Sequence, residues 1–280
     1  MNYFRVEGIL SAVSIASEKL TDTFGEFSHG LGRPELALPN TPTISVIVPT
    51  KNEAKNLPHV LPRIPAWVGE IVLVDGYSTD ETVAVARSLV PGIRVVNQDR
   101  PGKGAALRCG IQAARGDIIV TLDADGSADP AEIPAFVGAL LTGADFVKGS
   151  RFTQGGGTTD MEWYRRLGNW GLTQLVRIRF GGRFTDLCYG YNAFWRDIVP
   201  QFNIHDVDGF EIETSMNVQA LRSNMKVFEV PSYESPRIHG SSNLRTIPDG
   251  WRVLKTIIKL GMKPAPETRA ASMRRPLQGR

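Results

Sequence analysis

Only two cysteines occur in the 280 residues, and Cys109 and Cys188 form no metal-ligand spacing. Both sit in apolar or aromatic surroundings, as reduced core thiols of a cytoplasmic protein do. No apolar run approaches the roughly 20 residues of a membrane span. A signal peptide is missing too, because Glu7 and Glu18 flank a weak apolar stretch with no cleavage pattern. Charge of one sign is scarce: 32 Lys/Arg against 29 Asp/Glu leave +3, too little to argue for a nucleic-acid partner. The familiar glycine fingerprints also fail. Five positions before Gly102 stands Asn97, and no Ser or Thr follows Lys103, so Gly102-Lys103-Gly104 is not a P-loop. It lacks the third glycine of a dinucleotide site. A calcium loop counted from Asp123 meets Ala128 at its sixth position and Pro134 at its twelfth, where Gly and Glu are needed.

What is present centres on Ile118 to Ser127. Aliphatic and β-branched residues read as a buried strand, and Asp123 and Asp125 follow where it runs out, with Gly126 next. Ligands of open α/β sheets sit beyond the carboxyl ends of the strands. Two carboxylates there repel unless a cation holds them, and Mg²⁺ or Mn²⁺ takes such oxygen ligands together with substrate phosphates. A polar turn capped by Asp125 or Ser127 is the plain alternative.

The chain is long enough for one large domain or one and a half. Over residues 1 to 42, Phe4, Ile9, Leu10, Val13, Ala16 and Leu20 recur at near-helical spacing, predicting an amphipathic helix and a linker that pack on the domain or on a membrane surface. A regular alternation begins at Thr43. Strands are expected at Ile44 to Val48, Glu70 to Val74, Ile93 to Val96 and Ile118 to Leu122, with helices between them, the first made irregular by Pro58 and Pro62. Short strand–helix–strand connections mean a mostly parallel sheet covered on both faces. Thr50, Asn52 and Glu53, then Asp75, then Asp123 and Asp125 fall at successive strand ends, so one edge collects the acids. The Lys between glycines at a helix start suits a phosphate, or is a turn.

These motifs, Pro49-Thr50-Lys51-Asn52-Glu53, Val74-Asp75-Gly76-Tyr77-Ser78-Thr79-Asp80, Gly102-Lys103-Gly104-Ala105-Ala106 and Asp123-Ala124-Asp125, resemble in order and spacing the nucleotide-sugar domain of family 2 glycosyltransferases with the GT-A fold. The likeness is nearest to the dolichol-phosphate mannose synthase-like branch and covers residues 43 to 245. It implies a Rossmann-like sheet binding a nucleoside-diphosphate sugar, with Mg²⁺ or Mn²⁺ and inversion at the anomeric carbon. Carried over, Glu53 and Asp75 contact the nucleoside, with Pro49, Thr50 and Asn52 beside them. Asp123 and Ala124 lie near ribose and metal, Asp125 is the main metal ligand, and Lys103 serves the phosphates. Gly76 departs from the family, which commonly has a second Asp there. Uridine and guanosine donors both stay open.

Beyond the acid pair, a helix is expected over Pro130 to Leu141 and a strand over Asp145 to Phe152. Gly155-Gly156-Gly157 starts a loop, and Trp163 to Phe180 reads as a long helix whose Tyr164, Leu167, Trp170, Leu172, Leu175 and Val176 turn to the core or else line an acceptor groove. Thr185 to Tyr191 resembles the segment beneath the transferred sugar, making Asp186 an acceptor for a sugar hydroxyl or a capping residue of a turn. Glu211 and Glu213 diverge by about 200° on a helix, so only one faces a site; the resemblance favours Glu211 as a general base. Arg237-Ile238-His239-Gly240-Ser241-Ser242 resembles the family's R-x-x-G-x-S motif. Arg237 then stabilises the departing diphosphate, Ser241 contacts it, and His239 ligates the metal or donates to the phosphates. From Trp251 to Arg280 eight Lys/Arg face the single acid Glu267, and Trp251 to Met262 alternates as an interfacial helix or one packed on the domain. Residues 246 to 280 are thus a helical, basic addition. The expected activity is transfer of a sugar to a polyprenyl phosphate, or else to a soluble small molecule. A nucleotidyltransferase or a non-catalytic sugar-nucleotide binding module are the rivals of another class.

Overall fold

The computed structural model describes residues 41–242 and 244–262. The amphipathic helix expected near the N-terminus and the basic tail beyond Met262 lie outside the described residues. In chain order the elements are β1 (Ile44–Thr50), α1 (Leu57–Val60), β2 (Glu70–Asp75), α2 (Thr82–Leu89), β3 (Arg94–Asn97), α3 (Lys103–Ala113) and β4 (Ile118–Thr121). There follow α4 (Ile133–Leu141), β5 (Phe146–Ser150), β6 (Gly157–Thr158), α5 (Trp163–Phe180), β7 (Asn192–Trp195), α6 (Val199–Phe202), α7 (Glu211–Arg222), β8 (Val227–Pro231), β9 (Tyr233–Glu234) and α8 (Thr246–Met262).

Seven strands form one sheet in the order β3-β2-β1-β4-β7-β5-β8. Strands β1 to β4 run parallel, so all four deliver their carboxyl ends to one edge. Register sets Thr50 beside Asp75 and Asp75 beside Asn97. Every residue of β4 is buried, as expected of a central strand with helices on both faces. The one reversal is β7, antiparallel between β4 and β5. Its Asn-Ala-Phe-Trp is too short to show a period, and the sequence offers no strand signal there. Phe194 nonetheless stacks on Phe146 across the sheet and meets Phe202 edge-on.

A second, smaller core lies among α5, α7 and α8, built from Val176, Leu187, Val218, Val253, Ile257 and Leu260. Helix α8 begins at Thr246, five residues ahead of the expected Trp251, because Asp249 folds back to accept from the Arg245 amide at 2.7 Å. It packs on α7 and α5. The core side of α5 differs from expectation. Asn169, Thr173 and Val176 are buried, whereas Leu167 and Trp170 are 59 % and 60 % exposed and Tyr164 is also exposed.

Candidate active site

A cleft of about 830 Å³ runs along the carboxyl edge of the sheet and on between α5 and α8. Its first end is lined by Pro49, Thr50, Glu53, Gly76, Tyr77 and Gln98. Asp75 stands behind this wall: one carboxylate oxygen accepts from the Ser78 amide at 3.2 Å and the other is buried without a partner. Such an orphaned acceptor is costly unless a ligand donates to it. Asn52 does not line the cleft. It adopts φ +59° and accepts from the Thr79 amide at 2.7 Å, tying the loop after β1 to the loop after β2. Gly76 also has a steric cause. A Cβ there would lie 2.9 Å from the Thr50 carbonyl and 3.0 Å from Gln98 Oε1, so the space a second acid would need is taken. Gln98, only 7 % exposed, is a lining residue that the sequence does not mark, because an isolated Gln after a short strand has no distinguishing signal.

The Gly-Lys-Gly segment serves close packing. A Cβ on Gly102 would fall 2.1 Å from the Asp208 carbonyl, and Gly102 has φ +121°. The amides of Gly104 and Ala105 at the start of α3 both donate to that carbonyl, at 2.8 and 3.2 Å. Two of the helix's free donors are thereby used, and the Lys103 side chain is what the segment presents to the cleft. Its ammonium lies 2.9 Å from Asp123 and 2.7 Å from Glu213. Burial alone would lower the Lys103 pKa; the two carboxylates outweigh burial and raise it, so the lysine is charged. Gly190 makes room for this cluster, since a Cβ there would lie 2.5 Å from Glu213 Oε1 and 2.8 Å from Lys103 Nζ.

Asp125, Ala124 and Asp123 all line the cleft. Asp125 accepts from the Ser127 amide at 2.9 Å and pairs with Arg237 Nη2 at 3.0 Å. Arg237 Nη1 reaches Glu53 at 2.9 Å. The loop bearing Arg237 is laid along the acid loop by Ser235 N to Ser127 O, 2.8 Å, and Ile238 N to Asp125 O, 3.2 Å. Gly240 and Ser242 line the cleft, but Ser241 does not. His239 is likewise outside the lining; its ring lies 5.9 Å from that of His59. Among the described residues no three His, Cys, Asp or Glu side chains gather as a metal site. Asp123 and Asp125 remain the oxygen donors a divalent ion would use.

Two expected acids are placed elsewhere. Asp186 is fully buried and takes Arg151 Nε at 2.7 Å, Arg151 Nη2 at 2.9 Å and Asn169 Nδ2 at 3.0 Å. Its oxygens are thus engaged by the protein, and what reaches the cleft is Arg151. Burial would raise the Asp186 pKa, but the Arg151 charge and hydrogen bonds prevail and lower it. Glu211 does not line the cleft and accepts from the Gly209 amide at 3.3 Å, while Glu213 does line it. Between the two acids of α7, packing turns Glu213 inward.

At the far end, Tyr164, Arg165 and Leu172 of α5 face Thr246, Gly250 and Val253 of α8. Of the cations lining the cleft on this side, Arg151 is held by Asp186 and Glu234. Arg165 forms no ion pair among the described residues.

A mostly parallel sheet whose edge gathers an acid pair, a half-buried lysine and an arginine loop along one cleft is the architecture of a GT-A nucleotide-sugar transferase. The model of glycosyl transferase family 2 matches residues 45–202, and the chain belongs to that family. Polyprenol monophosphomannose synthase of Mycolicibacterium smegmatis is 30% identical over 79% of this chain and 88% of its own length. Undecaprenyl-phosphate mannosyltransferase of Micrococcus luteus is 30% identical over 72% and 87%. Among solved structures, glucosyl-3-phosphoglycerate synthase of Mycobacterium tuberculosis, in complex with Mn²⁺, uridine diphosphate and glucosyl-3-phosphoglycerate, matches with TM-score 0.62 and 24% identity, covering 84% of this chain and 88% of that one. The chain is a glycosyltransferase of family 2 that draws on a nucleotide sugar, and it is similar to relatives named as polyprenyl-phosphate mannosyltransferases.

Proposed function

We propose that the protein transfers a sugar from a nucleoside-diphosphate sugar to the phosphate of a polyprenyl phosphate, with Mg²⁺ or Mn²⁺. The observation that carries this is the placement of the cleft's cations among the described residues: Lys103 and Arg237 are paired with acids at the sheet edge, Lys51 stands exposed and without an ion pair at the nucleoside end, and Arg165 lies without an ion pair at the end between α5 and α8. An anionic acceptor suits a cation with no partner of its own. Polyprenyl phosphate is favoured over a soluble phosphorylated acid because three of the sequence relatives at about 30% identity are named for a polyprenyl or dolichol acceptor.

In this reading Pro49, Thr50, Tyr77 and Gln98 surround the base. The partnerless oxygen of Asp75 takes a nucleoside donor, and Glu53 holds Arg237 in place. Asp123 and Asp125 would hold the ion, which neutralises the diphosphate when bound. Asn52 acts through the loops it ties, and Asp186 acts by fixing Arg151. The acceptor phosphate oxygen forms its bond to the anomeric carbon as the bond from that carbon to the diphosphate breaks, the electron pair leaving with the nucleoside diphosphate. A phosphate nucleophile is already an anion, so no strong base is required. Glu213 instead keeps Lys103 charged beside Asp123. Arg237, 20% exposed, meets the charge that grows on the leaving group. The peripheral membrane location we propose follows from a lipid acceptor together with the absence, among the described residues, of a helix able to cross a bilayer.

The test is acceptor kinetics with detergent-solubilised polyprenyl phosphate. Arg165→Gln should raise the acceptor KM with donor KM unchanged. An unchanged acceptor KM would remove Arg165, and with it this placement of the acceptor.

A further inference from the structure

We infer that α5 and α8 together form a docking face for an anionic lipid bilayer, onto which the acceptor end of the cleft opens. This rests on the reading of a lipid-borne acceptor for its purpose, while its evidence is the surface itself. On α5, Trp163, Leu167, Trp170 and Ile178 are 76%, 59%, 60% and 84% exposed. Their spacing of 4, 3 and 8 residues places them in one stripe of a 3.6-residue helix. On α8, Ile247, Trp251, Ile258 and Met262 are exposed at a spacing of 4, 7 and 4, again one stripe. Neither stripe is the core side: α5 buries Asn169, Thr173 and Val176, and α8 buries Asp249, Val253, Ile257 and Leu260.

The two stripes belong to one surface. Tyr164 reaches Thr246 where both helices begin, and Arg179 donates to the Gly261 carbonyl where both end. The helices therefore run side by side in the same direction. Counting 100° per residue, the side of each that touches the other lies between its buried side and its exposed stripe, so the stripes flank the seam on its outer side. Tyr164 and Gly168 on α5 and Gly250 on α8 line the cleft, next in sequence to Trp163, Leu167 and Trp251.

Charge selects the occupant. Arg165, Arg166, Arg177 and Arg179 on α5 and Arg252, Lys255 and Lys259 on α8 are set against one acid within these helices, Asp249, which is buried and paired with Arg252. Tryptophan and aliphatic side chains beside arginine and lysine match the boundary of an anionic bilayer. A second copy of the chain on the same face would bring like charges together, which disfavours it.

The experiment is flotation of the full chain with phosphatidylcholine vesicles, with and without phosphatidylglycerol. The protein should float with the anionic vesicles at low salt. Trp170→Ser with Ile178→Ser should lower its partition by at least about tenfold, while transfer to detergent-solubilised polyprenyl phosphate is kept. Circular dichroism confirms folding, and Ile247→Ser with Ile258→Ser on α8 provides an independent second variant. Flotation unaffected in both variants, no flotation of the wild type, or a dimer in sedimentation that either variant dissociates would overturn the docking face. Flotation through this face with no glycosylation of the detergent-solubilised lipid would instead sink the acceptor reading and leave the face standing.

Discussion

Arg237 and Asp125 form an ion pair of 3.0 Å across the mouth of the sheet edge, joining the loop after β9 to the loop after β4. The same guanidinium holds Glu53, so one side chain fastens the late loop to two strand ends. In the proposed reaction its charge would meet the departing diphosphate. Arg237→Ala should lower kcat by about 10²-fold or more, as loss of a preorganised donor does, with little change in donor KM. A rise in KM alone would make Arg237 a ground-state binding residue.

Asp125→Ala should abolish transfer and metal-dependent nucleotide binding while the melting temperature holds. Calorimetric titration of nucleoside diphosphate with and without Mn²⁺ reads the effect. Binding equally enhanced by Mn²⁺ in the variant would remove Asp125 from the metal site.

The Lys103–Glu213–Asp123 cluster depends on the missing side chain of Gly190. Gly190→Ala should displace the flexible ends of Lys103 and Glu213, lowering turnover by about 10²-fold, the scale of a misplacement near 1 Å. Stability should change little. Glu213→Gln should follow Gly190→Ala in its effect, whereas Glu211→Gln should not; equal loss from both glutamines would contradict the orientation of α7.

Asp186 gives a pH signature. Its pKa is depressed in the fold, so its stabilisation is fully present above the ordinary carboxylate value of about 3.9 and is lost as pH falls toward the depressed value. Asp186→Asn should cost about 3–5 kcal/mol at neutral pH by leaving the buried Arg151 short of its partner. Urea unfolding should show that gap narrowing below about pH 4. A gap that stays constant with pH would contradict the ion pair.

Much of this was legible in the sequence. Runs such as Ile44 to Val48 and Ile118 to Thr121 announce buried parallel strands, and the polar residues closing them mark the functional edge. What was not legible depended on tertiary packing. β7 has four residues and takes its direction from its neighbours. Whether Glu211 or Glu213 turns inward depends on how α7 sits against Lys103, which the pattern of α7 does not encode. Asp186 reads in the sequence as an acceptor for a sugar hydroxyl or a turn cap, whereas its oxygens are engaged by Arg151, which lies 35 residues earlier just past the end of β5. Helix α5 is the most instructive case. Its apolar residues show that something apolar is met, yet Trp170 and Leu167 face outward and Asn169 and Thr173 inward. Periodicity cannot tell a protein core from another apolar surrounding.

The measurement that tests the central claim most directly is product identification. The protein is incubated with guanosine- and uridine-diphosphate sugars and Mn²⁺, with detergent-solubilised polyprenyl phosphate in one series and 3-phosphoglycerate in another, and the products are resolved by mass spectrometry. The account predicts glycosyl-phosphoryl-polyprenol and an equal amount of nucleoside diphosphate in the first series. Glycosylation of the soluble acid alone, or release of pyrophosphate, would contradict it.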